Sequence, residues 1–350
     1  MNILIISPSF NLLGGVANHF KGLHPYWKNK VDYAWQGRRK GIPAWTMLLP
    51  DYLTFLFKLC FSKTDVVVVN TSLYKFLLCR TAVYVLLARA FGKRVVTFIH
   101  GWDERMADSI VRHPWWFKHI YGRSAFIYVL YSGFRDKLLA AGLKCPVLLT
   151  TTKVADEMLE DFDINCRTGK IGTLLFVARL EESKGIMIAL KAFALLKAKH
   201  PQLKLSICGS GSAESRAKDY VSTNGIADVT FHGMLSGKAL RQEFREADLY
   251  ILPTHGEGMA TSVLEAMAFG LPIVSRPVGG ICDFFVQKQM GLLTESLSPQ
   301  TYADYVDSLM SDPAKVRSIC QYNHDYAVEH FMASKVTARF EADLNQYCAR

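Results

Sequence analysis

Short apolar runs recur along the chain, and the stretches between them are long enough for helices. The runs occupy residues 3–7, 65–70, 94–99, 126–130, 173–177, 204–208, 248–252 and 272–275. Their apolar positions are consecutive and do not alternate with polar ones, which is typical of strands buried on both faces. The pattern therefore predicts parallel sheets covered by helices, an α/β fold.

The runs form two series, separated by a polar segment at residues 161–170 (DFDINCRTGK). A chain of 350 residues is long enough for two domains of ordinary size, each with its own core. We therefore predict one Rossmann-like domain over residues 1–165 and a second over 166–333, joined at the polar segment. Parallel sheets bind ligands at the carboxyl ends of their strands, so the cleft between the domains is the expected site.

Basic residues are concentrated in the first half of the chain. Residues 1–150 contain 20 Lys and Arg against 7 Asp and Glu, whereas residues 151–350 contain 21 against 24, so the net charge of +10 divides into +13 and −3. This asymmetry suggests an anionic partner (phospholipid, a phosphorylated acceptor or nucleic acid), unless the basic surface is simply solvated. Nucleic acid is disfavoured because no recognised binding module is present.

Two segments of the first half, residues 45–61 and 73–91, are unusually apolar. Charges interrupt both, so neither offers the roughly 20 uninterrupted apolar residues of a membrane span. Two interpretations stay open: a surface that lies on anionic lipid, or buried helices whose basic ends reach water. The basic residues concerned are Lys58, Lys63, Lys75, Arg80, Arg89, Lys93 and Arg94.

The eight cysteines are scattered, with no C-x-x-C pair and no histidine at zinc-ligand spacing. We interpret them as reduced core thiols of a cytosolic protein. The apolar run at residues 3–7 lacks a preceding basic segment and is ended by Pro8. It therefore predicts a first strand and not a signal sequence.

Residues 253–280 (PTHGEGMATSVLEAMAFGLPIVSRPVGG) have the loop and helix that follow a strand in a nucleotide site. Ser262 and Glu265 form a capping-box pattern, which predicts a helix that begins near Ser262 and ends before Gly270. Free amides at that helix start would attract a diphosphate. Glu257 in the loop and Glu265 in the first turn would then share one site, although a loop charge and a cap are the simpler interpretation of an isolated pair.

The spacing of Glu257 and Glu265, with seven residues between them, resembles the hallmark of retaining glycosyltransferase family 4. Other segments are similar to that family in the same order: Val177-Ala178-Arg179-Leu180, Lys184-Gly185, Gly209-Ser210-Gly211 and Val229-Thr230-Phe231-His232-Gly233 upstream, and Ala266-Met267-Ala268, Gly270-Leu271-Pro272 and Gly279-Gly280 downstream. The resemblance is dense in the second half of the chain and thin in the first. Asp283 stands where many members carry a glutamate, so contacts there are expected to differ.

The resemblance implies the GT-B fold, in which two Rossmann-like domains face each other across a cleft with their parallel sheets. A C-terminal helix near residues 334–350 would pack back on the first domain. The second domain would bind the nucleotide sugar, and the first would bind the acceptor. The resemblance also implies retention of anomeric configuration, no metal, and no cofactor besides the nucleotide-sugar co-substrate.

Residue chemistry and the resemblance together assign the roles in the site. Arg179 and Lys184 are suited to neutralise a leaving diphosphate, Arg through a two-pronged hydrogen bond and Lys as a point charge. The resemblance places Glu257 on the donor sugar and Glu265 on the ribose. His100, which ends a predicted strand, would donate a hydrogen bond to the sugar or help to deprotonate the acceptor.

Glycines complete the predicted site. Gly15 follows the first predicted strand and would let backbone amides approach a phosphate or acceptor closely. Gly209 belongs to a segment after a predicted strand that is similar to the family. The catalytic residues are predicted to be Glu257, His100, Arg179 and Lys184, and the nucleotide-sugar site to comprise Gly15, Arg179, Lys184, Gly209, Glu257, Gly258, Met259, Ala260, Thr261 and Glu265. Asp161 and Asp163 imitate a D-x-D metal motif but lie in the predicted linker, so no metal site is predicted.

We therefore expect a glycosyltransferase that uses a UDP-sugar in preference to a GDP-sugar. The basic, apolar first half favours a glycan or polyprenyl-diphosphate-linked acceptor at an anionic membrane surface, as in bacterial surface-polysaccharide or lipopolysaccharide assembly. The expected location is cytoplasmic, peripheral on the inner face of the cytoplasmic membrane. Two alternatives stay open: a non-catalytic nucleotide- or lipid-binding partner of the same fold, and a sugar-nucleotide epimerase.

Overall fold

The computed structural model describes residues 1–12, 14–39 and 41–349, and the chain divides into two compact units. The first unit comprises Met1–Lys153 together with the C-terminal segment from Ala333, and the second comprises Val154–Met332. Each unit contains one six-stranded sheet in which every pairing between strands is parallel.

The first unit begins with six strands that alternate with helices. The strands are β1 (Asn2–Ser7), β2 (Lys30–Trp35), β3 (Val66–Ser72), β4 (Arg94–Gly101), β5 (Phe126–Val129) and β6 (Val147–Leu149), in the order β2-β1-β3-β4-β5-β6. The helices are α1 (Gly15–Leu23), α2 (Leu48–Phe61), α3 (Lys75–Ala90), α4 (Glu104–Arg112), α5 (Trp115–Ile120) and α6 (Ser132–Ala140).

The second unit repeats the alternation with a different strand order. Its strands are β7 (Thr173–Val177), β8 (Lys204–Cys208), β9 (Val229–Gly233), β10 (Leu249–Leu252), β11 (Ile273–Ser275) and β12 (Gly291–Leu293), in the order β12-β11-β10-β7-β8-β9. Its helices are α7 (Ile186–Lys199), α8 (Glu214–Thr223), α9 (Gly237–Glu246), α10 (Thr261–Ala268), α11 (Ile281–Phe284), α12 (Pro299–Met310) and α13 (Pro313–His330).

The central strands are buried because their apolar side chains meet helices on both faces of each sheet. In the first sheet, Ile3–Ile6 of β1 pair with Val66–Val69 of β3, and all eight residues are buried. All eight predicted strands are present within two residues of their predicted bounds, and the predicted α/β class is confirmed. The four strands that the apolar pattern missed are β2, β6, β9 and β12, which are the four edge strands.

The last helix, α14 (Ala333–Cys348), belongs to the first unit. Its Glu341 carboxylate accepts hydrogen bonds from the backbone amides of Lys28 and Asn29 at 2.9 and 2.7 Å. The Phe340 ring contacts the Tyr128 ring with centroids 4.9 Å apart. A buried carboxylate with two amide donors and an aromatic contact anchor this helix.

The polar segment at residues 161–170 packs inside the second unit, and the chain passes between units at Lys153 and Val154 instead. The reason is Arg167, whose buried guanidinium donates to the backbone carbonyls of Phe269 at 2.9 Å and Phe244 at 3.0 Å, and also to that of Ala247. Hydrogen bonds from a buried charge to three carbonyls hold the segment in place.

The cysteines differ in part from the expectation of core thiols. None of the eight, all of which lie in the described ranges, forms a disulfide. Three are buried (Cys208, Cys320 and Cys348), but four are exposed (Cys60, Cys79, Cys166 and Cys282). Among helices in the described part of the chain, none combines the length and the apolar character that crossing a bilayer requires.

Candidate active site

Most of the predicted site residues of the second unit lie where the strand order of its sheet reverses. Strand order runs outward from β7 to β8 and β9 on one side and from β10 to β12 on the other, so β7 and β10 flank the reversal. Ligands of open parallel sheets bind outside the carboxyl ends of the two strands at such a point. Arg179 and Lys184 follow β7, and Glu257 follows β10.

Lys184 and Glu257 form the central contact of this site. Lys184 Nζ lies 2.7 Å from Glu257 Oε1, and each side chain is only 15% exposed. The buried hydroxyl of Thr254 donates to the same carboxylate oxygen at 3.1 Å. The His255 amide donates to the Ser183 carbonyl at 2.8 Å, which joins the two loops. The carboxylate and the ammonium are therefore held in position in a half-buried setting, where charges interact more strongly than in bulk water.

Two glycines allow the loops to approach this closely. Gly185 has φ +75°, and a Cβ there would lie 2.1 Å from the Pro253 carbonyl oxygen. Gly279 has φ +54°, and a Cβ there would lie 1.9 Å from the carbonyl oxygen of Glu257. Both positions require glycine for its left-handed backbone and for its missing side chain. The Lys184-Gly185 and Gly279-Gly280 patterns thus have a physical role in placing Glu257.

The predicted capping box at the start of α10 is wrong. The helix begins at Thr261, its N-cap is Ala260 with no side-chain cap, and Glu265 is the fifth helical residue, beyond the first turn. Ser262 Oγ instead lies 2.7 Å from the Tyr250 hydroxyl. The serine is thus engaged by a buried tyrosine of the neighbouring strand and does not face the helix amides. The predicted end of the helix before Gly270 is confirmed.

Glu257 and Glu265 both lie near the Tyr250 hydroxyl. Burial raises the pKa of Tyr250, and the Glu257 and Glu265 carboxylates raise it further because they disfavour a phenolate beside them. This tyrosine also lies 2.9 Å from the Val177 carbonyl oxygen, at the end of β7. A neutral tyrosine therefore links the strand end, the start of α10 and the region of the two carboxylates.

Arg179 is not part of the Lys184 and Glu257 contact. Its side chain is 68% exposed, and Nη1 lies 2.6 Å from Glu181 Oε1. Arg179 and Gly209 line a cavity of about 170 Å³ at the ends of β7 and β8. The remaining lining residues are Val177, Ala178, Cys208, Ser210, Met234, Leu235 and Leu240. Mostly apolar walls beside an exposed cation suit a flat ring attached to an anionic group.

In the first unit, His100 is the next-to-last residue of β4 and is held by Asn70. His100 Nε2 lies 2.8 Å from Asn70 Oδ1, and Asn70 Nδ2 donates to the Ile6 carbonyl at 2.8 Å. The asparagine oxygen therefore faces the imidazole, so Nε2 carries the hydrogen and Nδ1 has the lone pair. The imidazole stacks on Phe98 with centroids 3.7 Å apart.

The environment keeps His100 neutral. Burial lowers the pKa of His100 well below its usual 6.5, and the nearby His19 lowers it further. Of the two roles predicted for His100, donation from Nε2 is already used by Asn70, whereas Nδ1 can accept a proton or a hydrogen bond. Asn70 was missed in the sequence because a single asparagine at a strand end carries no recognisable spacing.

A cavity of about 590 Å³ lies at the reversal point of the first sheet, between β1 and β3. Its lining includes Gly14 and Gly15 from the loop after β1, Asn70, Thr71 and Ser72 from the end of β3, and Gln36, Arg38 and Arg80. Of the predicted nucleotide-sugar residues, Gly15 is the one in the first unit.

Arg80, which the sequence suggested as a lipid-facing cation, is buried beside this cavity. Its Nη2 lies 2.9 Å from Asp51 Oδ2, and Arg39 Nη2 lies 2.9 Å from Asp51 Oδ1. The Gly37 amide donates to Asp51 at 2.7 Å. Two arginines thus share one carboxylate, which leaves a net positive charge at the cavity wall.

The D-x-D pattern at Asp161 and Asp163 has a local structural role. The Asp163 carboxylate accepts the Asn165 amide at 3.0 Å and caps a short 3₁₀ turn, Ile164–Cys166. Among the residues that the structure describes, no group of three or more His, Cys, Asp or Glu side chains is placed to hold a metal ion.

Comparison with known proteins identifies a family for the larger part of the second unit. The model of the family described as "Glycosyl transferases group 1" matches residues 146–325. A D-inositol 3-phosphate glycosyltransferase of Arthrobacter is 34% identical over 146 residues, which is 40% of this chain and 35% of that protein. The amylovoran biosynthesis glycosyltransferase AmsK of Erwinia amylovora is 27% identical over 268 residues, 74% of this chain and 62% of that protein. The chain thus spans less than two thirds of these relatives.

Solved structures share the fold over the whole chain at low identity. HepE of Anabaena, crystallised in complex with UDP, superposes with a TM-score of 0.74 and 16% identity, covering 99% of this chain and 100% of HepE. A sucrose-phosphate synthase of Thermosynechococcus elongatus gives 0.72 and 16%, covering 99% of this chain and 98% of that chain. The predicted α/β fold of the GT-B kind, with two parallel sheets, is confirmed.

Proposed function

Because the chain belongs to the group 1 glycosyl transferases, we propose that it moves a sugar from a nucleotide-diphosphate donor to a glycan or lipid-linked acceptor with retention of anomeric configuration. The observation that carries this proposal is the half-buried contact between Lys184 and Glu257 at the reversal point of the second sheet. It presents a cation for a leaving phosphate and a carboxylate for sugar hydroxyls at one place. We assign the chain to the retaining family 4 on the spacing of Glu257 and Glu265.

The donor site is proposed to extend from the small cavity at β7 and β8 to the Lys184 and Glu257 contact. The nucleotide base occupies the apolar cavity, and Gly209 lets the chain approach the diphosphate. Arg179 turns from Glu181 to the phosphates, Glu265 binds the ribose, and residues 258–261 border the sugar at the start of α10. UDP is favoured as the nucleotide, a preference supported by the UDP bound in the fold neighbour HepE.

In the proposed reaction, the bond between the anomeric carbon and the β-phosphate oxygen breaks, and its electron pair passes to that oxygen. Lys184 and Arg179 stabilise the growing negative charge in the role that a metal has in other glycosyltransferases, so neither metal nor cofactor takes part. The acceptor hydroxyl attacks the face that the phosphate leaves, and its proton passes to the departing phosphate. Neutral His100 accepts a hydrogen bond from a sugar or acceptor hydroxyl through Nδ1.

The acceptor is proposed to bind in the large cavity of the first unit. The net positive charge of the Asp51, Arg80 and Arg39 cluster favours an anionic group there, such as the phosphate of a polyprenyl-diphosphate-linked glycan. Similarity to a protein named for amylovoran biosynthesis supports a place in bacterial polysaccharide assembly. The proposed location is the cytoplasmic side of the cell membrane.

The test is a thermal-shift panel with UDP, GDP, ADP and CMP, followed by donor hydrolysis with sugar nucleotides of the base that binds. UDP should raise the melting temperature most, and the released sugar should keep the anomeric configuration of the donor by NMR. Stabilisation by none of the four nucleotides contradicts the proposal. Binding without turnover supports the non-catalytic alternative, and conversion of the sugar nucleotide to its epimer without acceptor supports the epimerase.

A further inference from the structure

The outward face of α2 is almost wholly apolar. Its solvent-exposed residues, all of them described, are Leu49, Pro50, Leu53, Thr54, Phe57, Cys60 and Phe61, and none is charged. The four largest of these, Leu49, Leu53, Phe57 and Phe61, recur every four residues and are 56–76% exposed. The helices of soluble proteins normally present charged residues on this face, so the stripe needs an explanation.

The outward face of α3 has the same character. Its exposed residues are Lys75, Phe76, Cys79, Val83, Leu86 and Ala90, so the only exposed charge in this fully described helix lies on its first residue. The spacing of three and four residues places the apolar ones on one face. The opposite face, with Tyr84, Val85 and Ala88, is buried in the core of the first unit.

The two faces lie side by side on one side of the first sheet. The connections from β2 to β3 and from β3 to β4 both run in the same direction across the sheet, and right-handed crossovers then place α2 and α3 on the same face. Direct contacts agree: the Tyr52 hydroxyl donates to the Arg80 carbonyl at 2.9 Å, and the Phe55 and Tyr84 rings lie 5.1 Å apart.

α5 extends this surface beyond α3. Arg89 Nη1 donates to the His119 carbonyl at 2.9 Å, which joins α5 to the end of α3. Trp115 on α5 is 71% exposed. Tryptophan has an apolar body and a polar N–H, the combination favoured at the boundary between lipid and water.

The charges around the apolar surface are predominantly basic. Residues 45–94 contain seven Lys and Arg against two Asp, and no Glu. Asp51 is buried between two arginines, and Asp65 accepts the Asn2 amide at 2.8 Å. Lys63 and Lys75 are exposed at the end of α2 and the start of α3.

We infer that the outward faces of α2 and α3, the α2–α3 surface, dock on a bilayer that contains anionic phospholipid. The apolar stripes enter the region of the acyl chains near the headgroups, while Lys63 and Lys75 contact the phosphates. Because the inner face of each helix is packed in the core, only the outward faces contact the bilayer, and the helix axes lie along its surface. The inference goes beyond the proposed transfer reaction and does not depend on it.

Flotation of the full chain with vesicles tests the docking directly. Vesicles of equal phosphatidylglycerol and phosphatidylcholine should carry the protein, and vesicles of phosphatidylcholine alone should carry at least fivefold less, since each lysine at an anionic surface contributes about fivefold to binding. Protein that stays in the soluble fraction with both compositions overturns the inference.

Two native thiols report whether the α2–α3 surface itself meets the lipid. Cys60 and Cys79 are exposed on this surface, whereas Cys166 is exposed in the second unit. Anionic vesicles should slow the labelling of Cys60 and Cys79 by a water-soluble maleimide at least fivefold and leave Cys166 unchanged. Protection that instead grows with protein concentration in the absence of vesicles identifies a second copy as the occupant and overturns the inference.

A matched pair of variants isolates the apolar stripe. The double variant Leu53→Glu/Phe57→Glu should lose at least tenfold in vesicle binding, because two charges enter the apolar contact. Leu195→Glu changes a leucine that is 40% exposed on α7 of the second unit, and it should bind vesicles like the unmodified protein. UDP binding is measured in each variant. Equal vesicle binding by Leu53→Glu/Phe57→Glu and by Leu195→Glu contradicts the docking inference. Absence of UDP binding in the variants and in the unmodified protein counts only against the proposed donor site.

Discussion

From its first strand, the chain adds one strand on one side of the first sheet and two strands on one side of the second before it crosses to the other side. In both units, a candidate feature lies at the point where the strand order reverses. In the first unit the reversal lies between β1 and β3, beside the large cavity, and in the second it lies between β7 and β10, beside Lys184 and Glu257. The place of a site in an α/β unit therefore follows from topology and not from the position of a strand in the sequence.

The two units differ in the chemistry of their candidate residues. The second unit holds an ion pair between adjacent loops, built on glycines that only a specific sequence provides. The first unit holds a neutral imidazole, a roomy cavity and a basic, apolar outer surface. This contrast supports the proposed division of labour, with bond breaking in the second unit and acceptor binding in the first.

The most severe test of this contrast is removal of the cation in the second unit. Lys184→Met should lower the rate of sugar transfer by about 10²–10³, since a preorganised charge on the leaving group is lost where water is largely excluded. Steady-state kinetics with the donor found in the nucleotide panel measures the effect, and circular dichroism checks the fold.

Lys218→Met is the matched control, because Lys218 also lies 2.7 Å from a carboxylate, that of Glu214, but on an exposed helix face. It should change the rate by less than about twofold. If the rate of Lys184→Met stays within tenfold of that of the unmodified protein, Lys184 does not stabilise the charge on the leaving phosphate.

A second difference between the units is their response to acid. Burial lowers the pKa of His19 from 6.5 to about 3, with a further contribution from Lys153, and His100 is lowered in the same direction. The folded state thus disfavours protonated His19, whereas the unfolded state takes up a proton below pH 6.5. The free energy of unfolding is therefore undiminished above pH 6.5 and decreases as the pH falls toward 3. The loss from His19 amounts to about 1.4 kcal/mol per pH unit, or about 3 kcal/mol by pH 4.5.

Hydrogen exchange of β1 and β4 at pH 7 and 4.5 measures this loss within the first unit. In the unmodified protein, protection of β1 and β4 should fall between pH 7 and pH 4.5. In His19→Gln most of this fall should be absent. His255→Gln, at an exposed histidine of the second unit, should leave the exchange of both strands unchanged. The same pH slope in His19→Gln as in the unmodified chain would refute the linkage.

In the first unit, Asn70 is expected to act through His100 as a positioning residue. Asn70→Asp places a carboxylate where the amide oxygen accepts the Nε2 hydrogen, and it should raise the pKa of His100. The rate should then fall about tenfold between pH 7.5 and 6 as Nδ1 is protonated, whereas the unmodified enzyme should be flat over this range because its His100 stays neutral. A flat profile in the variant would assign Asn70 a purely structural role.

The pattern of apolar residues predicts the inner strands but not the edge strands, and the reason is physical. Inner strands are covered on both faces and read as continuous apolar runs, whereas β2 and β9 are partly exposed and β6 and β12 have three residues each. The Lys184-Gly185 and Gly279-Gly280 patterns could be found because the backbone geometry admits only glycine there.

The rest of the site depends on contacts between residues far apart in the chain. Thr254 and Asn70 orient Glu257 and His100 through single hydrogen bonds, which leave no periodic signal. The capping-box prediction is wrong because the Ser262 hydroxyl forms a hydrogen bond with Tyr250. This tertiary contact overrides the local preference of serine for capping a helix N-terminus. Arg179 was correctly placed after β7, but its pairing with Glu181 could not be anticipated.

The smallest predicted effect concerns that pairing. If Arg179 must leave Glu181 to reach the diphosphate, then Glu181→Gln removes a competing partner and should raise UDP affinity about twofold, because an exposed ion pair contributes less than about 1 kcal/mol. Arg179→Gln should weaken UDP binding about tenfold. Isothermal titration calorimetry measures both.

Glu182→Gln separates this competition from a general change in charge. Glu182 is adjacent in sequence and is also a glutamate, but it pairs with Arg216 at 2.7 Å. It should alter UDP affinity by less than Glu181→Gln does, since it frees no cation beside the cavity at β7 and β8. Equal gains in both variants would mean that UDP senses only the local net charge, and the proposed movement of Arg179 toward the phosphates would lose its support.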